Sequence, residues 1–288
     1  MYKLKQYLSM IKFSHSIFAL PFACIGFCLG VRYIQSTQSA IAWQLAPLVV
    51  LCMVSARSAA MAFNRYLDRD IDALNPRTAV REIPQGIIAP KQALSFTIIN
   101  CVIFSTATFF INPLCFYLSP VALAVVLGYS YTKRYTPLCH LILGIGLGLA
   151  PIGAYVAVTG SFAMLPIWYS MVVIFWVSGF DVLYALQDEA FDRANHLQSI
   201  PVLMGTTRAL LLSRVLHVIA VTIIIFVGIL YSYHAYYWAG AACFIILIIR
   251  QHSLVTATNL SRINLAFFTL NGIASMVFAT LVCLAIFA

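Results

Sequence analysis

Every carboxylate side chain in this 288-residue chain falls into one of two short runs: Asp68, Asp70, Asp72 and Glu82, then Asp181, Asp188, Glu189 and Asp192. Acids needed only for solubility would be scattered over a surface, so confinement to two islands points to paired sites that hold cations. Asn64, Asp68 and Asp72 recur every four residues, and Asp181, Tyr184, Asp188 and Asp192 follow a similar stride. On a helix such positions share one face. Stacked carboxylates repel one another unless a cation sits between them, and hard oxygen donors in this number suit Mg2+. The spacing predicts that Asn64, Asp68 and Asp72 hold metal against a diphosphate, with Asp188 and Asp192 as the opposing metal ligands. Arg65 or Arg69 would neutralise phosphate charge. The plainer alternative for the first run is a solvated helix end balanced by those two arginines.

The elements that must position these residues are membrane spans. With 62% hydrophobic residues, 9% charged residues and a mean hydropathy of +0.95, the composition is that of a polytopic membrane protein embedded in a lipid bilayer. Apolar stretches long enough to cross a hydrocarbon core run from about 14 to 34, 42 to 63, 93 to 111, 114 to 131, 138 to 158, 162 to 186, 208 to 231, 234 to 250 and 264 to 287. The expected fold class is therefore an all-α membrane protein of about nine transmembrane helices bundled around a central cavity. The first span follows Lys3, Lys5 and Lys12 and lacks a cleavage site, which predicts a retained helix rather than a signal peptide. Lysines and arginines flank every second connection, which places the amino terminus and both acidic islands in the cytoplasm, with the inner (cell) membrane as the expected location. The net charge of +9 then reflects topology and an anionic substrate, and implies no nucleic acid.

No long polar linker divides the chain, so residues 1–288 are read as one catalytic domain with acidic motifs at 64–72 and 181–192. Ile83-Pro84 with Gly86 and Ala93-Leu94 is echoed by Ile200-Pro201 with Gly205 and Ala209-Leu210, which suggests an internal duplication and two half-sites facing one cavity. The loops at 73–92 and 188–207 are the largest extramembrane pieces. In the first, Arg77 and Arg81 would reach either a phosphate or acidic lipid headgroups. Arg57 lies inside an apolar span, two helical turns below Asn64, and a charge there is functional by default. Its guanidinium fork suits the carboxylate of an aromatic acid; the alternative is an ion pair with an island aspartate. Asp181 lies deeper than Asp188 and would accept a proton, orient Tyr184 or support metal. The eight cysteines, with no CxxC, read as small core residues, and the six histidines show no metal-ligand spacing and read as ordinary polar contacts. Gly144, Gly146, Gly148 and Gly153 fall inside a span, where small residues let helices approach.

At these residues the chain resembles the UbiA-type intramembrane prenyltransferases, and 4-hydroxybenzoate polyprenyltransferases in particular. The resemblance covers nearly the whole length and rests on Asn64, Asp68 and Asp72, on Tyr129 to Arg134 closing the fourth span, and on the run from Asp181 to Asp192. The stretch Ile11 to Pro21 is also similar to the start of the aryl-acid branch. The resemblance implies Mg2+-dependent transfer of a polyprenyl group from polyprenyl diphosphate to a hydroxyaryl carboxylic acid, nominally 4-hydroxybenzoate, in lipid quinone biosynthesis. A dihydroxynaphthoate on the way to menaquinone is the alternative acceptor. Matching the family's YxxxK pattern, Tyr129 and Lys133 would contact diphosphate, joined by Arg134. Asp181 and Asp188 would serve catalysis, and Arg57, Asn64, Arg65 and Tyr184 would bind substrate. Two readings from other classes are an ion-coupled carrier, whose acids should lie near the bilayer midplane rather than at span ends, and a CDP-alcohol phosphotransferase, whose close Asp pair with Gly and Ala-Arg neither island offers.

Overall fold

The computed structural model describes residues 2–11, 19–36 and 42–288, which are helical apart from turns and one isolated bridge between Thr256 and Asn259. In chain order the helices are α1 (Tyr2–Met10), α2 (Leu20–Ser36), α3 (Ala46–Leu67), the short α4 (Arg69–Leu74), α5 (Pro90–Ile111), α6 (Pro113–Thr132), α7 (Cys139–Thr159), α8 (Met164–Ala185), the short α9 (Glu189–Ala194), α10 (Ile200–Leu230), α11 (Ala235–Leu254) and α12 (Asn271–Phe287). Among the described residues eight helices are long and apolar enough to cross a bilayer, and α2, at 17 residues, is the shorter apolar helix where the sequence predicts the first of about nine spans. The expected start of that span, and residues 12–18 of the similar amino-terminal stretch with His15, lie outside the described residues.

Helix starts explain where the observed spans depart from the apolar stretches. Pro90 opens α5 with Gln92 Oε1 accepting the Ala89 N–H at 3.0 Å, and Ser199 Oγ accepts the Val202 N–H at 3.4 Å as Pro201 enters α10. Both helices therefore begin before their chains reach the apolar zone. At the opposite end, Asn112 accepts the Cys115 N–H at 2.8 Å and donates to the Val156 carbonyl at 2.9 Å, so a single cap starts α6 and ties it to α7. The suspected repeat has a local counterpart. Gly86 and Gly205 both take positive φ, 69° and 77°, shortly after an Ile-Pro, Gly86 ahead of α5 and Gly205 as a kink inside α10. Ala93 and Ala209 are then fully buried where α5 packs on α3 and α10 on α8.

The most buried span is α8, and around its Trp176 pack Phe22, Phe180, Phe244 and the neighbouring Phe278. Trp176 Nε1 donates to Asn271 Oδ1 at 3.1 Å, so the polar edge of the core is satisfied. Large exposed apolar side chains, among them Phe109, Phe110, Tyr117 and Ile249, form an outer belt. Such a surface suits hydrocarbon rather than water, and the protein is an integral membrane protein.

The span glycines divide by face. A Cβ on Gly144 would press on Ser178 and the Ile174 carbonyl, and one on Gly148 would press on Ile174, so α7 approaches α8 only because these residues are small. Gly146 and Gly153 point elsewhere, and the close-approach expectation does not hold for them. Gly26 is tightest of all, since a Cβ there would collide with the Pro151 carbonyl. Gly26→Ala is expected to destabilise the fold by roughly 3 kcal/mol. Thermal unfolding in detergent checks this, and an unchanged midpoint would contradict the packing described. All eight cysteines are free; Cys24 is exposed on α2 and the others are half-buried, so they sit at the edge of the core rather than in its centre.

Candidate active site

A polar chamber of about 640 Å³ lies where the acidic ends of α3 and α8 meet, and Arg57, Asn64, Arg65, Asp68, Asp72, Tyr129, Lys133, Arg134, Asp181, Tyr184, Asp188 and Asp192 all line it. The acidic runs are not continuous helices, however. Helix α3 stops at Leu67, Asp68 (φ −88°, ψ 4°) turns the chain, and α4 restarts at Arg69. In the second run α8 ends at Ala185, a single 3-10 turn spans Leu186–Asp188, and α9 begins at Glu189. The predicted one-face stripe is thus broken once in each motif. The physical reason is charge: a straight helix would stack like charges, whereas the turns let each carboxylate meet a separate cation.

Those cations come from two places. Arg81 Nη1 donates to both oxygens of Asp72 at 2.6 and 2.7 Å, and Arg77 donates through Nε and Nη2 to the two oxygens of Asp188 at 2.9 and 2.5 Å. Asn75 Nδ2 adds a third contact to Asp188 at 3.1 Å. The loop after the first motif therefore bridges to the second motif. From the end of α6, Lys133 Nζ lies 2.8 Å from Asp192 Oδ1, and just beyond it Arg134 lies 3.6 Å from Asp68 while donating to the Leu67 carbonyl at 2.7 Å. Asn64 Nδ2 donates to Asp68 Oδ2 at 3.1 Å. Burial and the nearby Asp72 charge raise the Asp68 carboxyl above its usual range, against the pull of Lys133, Arg134 and Arg81.

Arg65 is buried, and its Nε donates to the Met10 carbonyl at 3.4 Å, fastening α1 beside α3 while the side chain reaches the chamber wall. Arg69 turns the other way. It donates to the Tyr66 carbonyl, pairs with exposed Asp70 at 3.5 Å and does not line the chamber, which removes it as a phosphate partner. Arg77 and Arg81, left open between phosphate and lipid, both face the chamber. Their fourfold spacing after the first motif was the available signal.

His140 is the residue the sequence undervalued. Its Nδ1 lies 2.7 Å from Asp181 Oδ2 and its Nε2 accepts the Ile200 N–H at 3.4 Å, so it holds the deepest acid in place and fixes the start of α10. The accepting role of Nε2 puts the proton on Nδ1, directed at the carboxylate. Tyr184 carries its hydroxyl to Arg77 at 3.1 Å, and its ring lies 4.2 Å from that of Phe267. Phe267 and Phe268 occupy a π-helical stretch (Leu265–Leu270) just before α12, a local irregularity that turns both rings toward the chamber.

Beneath the chamber lies a second cavity of about 380 Å³, lined almost wholly by apolar side chains of α3, α5, α6 and α7. Arg57, Met61, Tyr129, Leu143 and Leu147 line both spaces, so the polar chamber opens into the apolar one at these residues. Arg57 has no ion pair among the described residues, and its buried Nε has no hydrogen-bond partner. The ion pair with an island aspartate is therefore not formed. A desolvated cation left open at the junction is built for an anionic ligand.

The donor set also fits a hard divalent ion. Asp192 is 1% exposed, and apart from Lys133 Nζ at 2.8 Å its carboxylate oxygens have no polar partner. No group of three or more acidic, histidine or cysteine side chains converges on one point among the described residues. Magnesium needs no such cage, because it is commonly held by one or two carboxylates together with substrate phosphates.

A family model described as the UbiA prenyltransferase family matches residues 19–273. The 4-hydroxybenzoate octaprenyltransferase of Alkalilimnicola ehrlichii is 27% identical over 229 residues, which cover 80% of this chain and 78% of that protein. The apo structure of a UbiA homologue from Aeropyrum pernix K1 superimposes with a TM-score of 0.83 at 32% identity, covering 94% of this chain and 97% of that one. A UbiA homologue from Archaeoglobus fulgidus, bound to GPP and Mg2+, shares the fold with a TM-score of 0.76 at 22% identity, covering 98% of this chain and 100% of that one.

Proposed function

The chain belongs to the UbiA prenyltransferase family, and we propose that it transfers a polyprenyl group from polyprenyl diphosphate to the ring of 4-hydroxybenzoate, in lipid quinone biosynthesis. The single observation that carries this reading is the junction of an acid-and-base-lined polar chamber with an apolar cavity at Arg57 and Tyr129. A diphosphate with a long apolar tail needs both spaces, joined at the reacting carbon. The relative from Alkalilimnicola ehrlichii is named for this reaction, and the Archaeoglobus fulgidus homologue binds GPP and Mg2+. Membership of an enzyme family sets the carrier reading aside.

In this mechanism Asn64, Asp68 and Asp72 on one side and Asp188 and Asp192 on the other would hold magnesium. The bound ions supply neutralisation of the negative charge that builds on the departing diphosphate. Lys133, Arg134, Arg77 and Arg81 exchange their carboxylate partners for phosphate oxygens, so cationic charge is already in place when the allylic C–O bond breaks. Arg65 adds fixed positive charge from the wall. Tyr129 presents its ring to the allylic cation at the mouth of the apolar cavity. Arg57 takes the carboxylate of the acceptor and Tyr184 borders its ring. As the new C–C bond forms, the ring carbon loses its proton to Asp181, which His140 orients. The distribution of lysine and arginine supports a chamber at the cytoplasmic face of the inner membrane, with residues 1–288 acting as one domain.

The test is an assay of the purified protein in lipid with Mg2+, a polyprenyl diphosphate, and 4-hydroxybenzoate or a dihydroxynaphthoate in parallel. Prenylated 4-hydroxybenzoate is expected, lost on chelation and restored by added Mg2+. Product from the naphthoate alone would change the acceptor, and product from neither would refute the reading.

A further inference from the structure

The apolar cavity has a wall without side chains. A Cβ built on Gly153 meets nothing within 4 Å, and one on Gly146 meets only Val126 Cγ1, at 3.9 Å. Both glycines line the cavity, on the face of α7 that turns away from the tight α8 contact. Glycine weakens a helix, and neither position gains a close helix approach in return. What the two residues provide is open space.

Depth along the helices converts that space into a length. From Leu143 at the chamber junction, the cavity wall runs along α7 to Ala157, and from Tyr129 it runs along α6 to Cys115. Each covers fourteen helical steps, roughly 21 Å at the helical rise. An isoprene unit adds four chain bonds, about 5 Å by the geometry that puts Cα atoms about 3.8 Å apart across three bonds. The cavity therefore receives about four units. Gly153 stands ten residues beyond Leu143, roughly 15 Å in, beside the third and fourth units. Buried Ser119, ten residues beyond Tyr129 on α6, lies at the same depth on the other side. Val121, a further lining residue, is 60% exposed, so the cavity wall is open at that residue and a longer tail has a way out into lipid there.

We infer that Gly153, with Ser119 opposite, sets the length of prenyl tail held by the protein: about four isoprene units are bound inside and the rest of the tail lies in lipid. This rests on the proposed prenyl transfer. Two variants and one comparison on the unsubstituted enzyme test it, with diphosphate donors of two to eight isoprene units. For the unsubstituted protein, KM for the donor is expected to fall with each added unit up to about four and then level off; a KM still falling through eight units would overturn the inference. In Gly153→Phe the ratio of kcat/KM for the two-unit donor to that for the eight-unit donor is expected to rise at least about tenfold. Ser119→Leu, which narrows the same depth from α6, is expected to shift the ratio the same way and decides the matter if Gly153→Phe does not fold. Ratios within twofold of the unsubstituted enzyme in folded variants would overturn the inference while leaving prenyl transfer intact. Absence of transfer from every donor by the unsubstituted protein would instead refute the function on which it rests.

Discussion

Asp192→Asn is expected to lower kcat for prenyl transfer by about a thousandfold or more, equivalent to roughly 4 kcal/mol of lost transition-state stabilisation. The substitution preserves shape and removes one negative charge from a carboxylate that is almost fully buried and has Lys133 as its one close polar partner. Burying a carboxylate without hydrogen-bond donors is costly unless a cation repays it, and Lys133 alone stands there at 2.8 Å. On the proposed function Lys133 would turn to phosphate and Asp192 would hold the metal, a rearrangement that asparagine cannot support. Asp70→Asn is the matched control. Asp70 belongs to the first island but is 82% exposed in its side chain, pairs only with Arg69 at 3.5 Å and lies outside the chamber lining. An exposed pair of this kind contributes little, and activity within about twofold of the parent is expected. Both variants should unfold within a few degrees of the parent in detergent. If Asp192→Asn retains more than a tenth of the activity, or if Asp70→Asn falls as far, the metal assignment is wrong.

The contrast between Asp192 and Asp70 also marks how far the sequence could be read. Clustering of the acids was visible because so few occur in this chain, and the fourfold stride grouped Asn64, Asp68 and Asp72, which line one space. What the stride could not contain was the turn at Asp68 or the 3-10 turn at Leu186–Asp188. Those breaks are decided by partners far away in sequence: Arg134 for Asp68, and Asn75 with Arg77 for Asp188. His140 was illegible for the same reason. Its chemistry arises from Asp181, 41 residues on, and no local pattern announces that pair. Span positions, by contrast, follow from hydropathy, and the largest shift is at the start of α10, where Ser199 begins the helix well ahead of the apolar stretch; α3 and α11 each run about one turn past their stretches. The apolar cavity was the least accessible of all. A glycine that enables helix contact, such as Gly148, and one that leaves a void, such as Gly153, are the same letter, and only the neighbouring helix distinguishes them.

Arg57 gives the second large effect, and it separates binding from chemistry. Arg57→Lys is expected to raise KM for 4-hydroxybenzoate by about a hundredfold while changing KM for the polyprenyl diphosphate by less than about threefold, because lysine keeps the charge but loses the two-pronged contact to a carboxylate. The magnitude corresponds to roughly 3 kcal/mol, the range for charge-assisted hydrogen bonds made where water is excluded. The premise is geometric: the side chain lines both cavities, its Nε has no partner, and no acidic side chain pairs with it among the described residues. An acceptor without the carboxylate gives the decisive comparison. A phenol of similar size should be a poor substrate for the parent and no worse for Arg57→Lys, since the missing carboxylate and the altered guanidinium remove the same interaction and their effects should not add. If the variant loses equally on both acceptors, Arg57 acts on the structure of the junction rather than on the acid. If KM for the diphosphate rises instead, the guanidinium belongs to the donor. The location of Arg57 beneath the diphosphate chamber, two turns from Asn64, favours the acceptor, because the ring must approach the allylic carbon from the side away from the departing phosphates. A guanidinium at that depth can hold the acid's carboxylate without competing with Lys133, Arg77 and Arg81 for the leaving group.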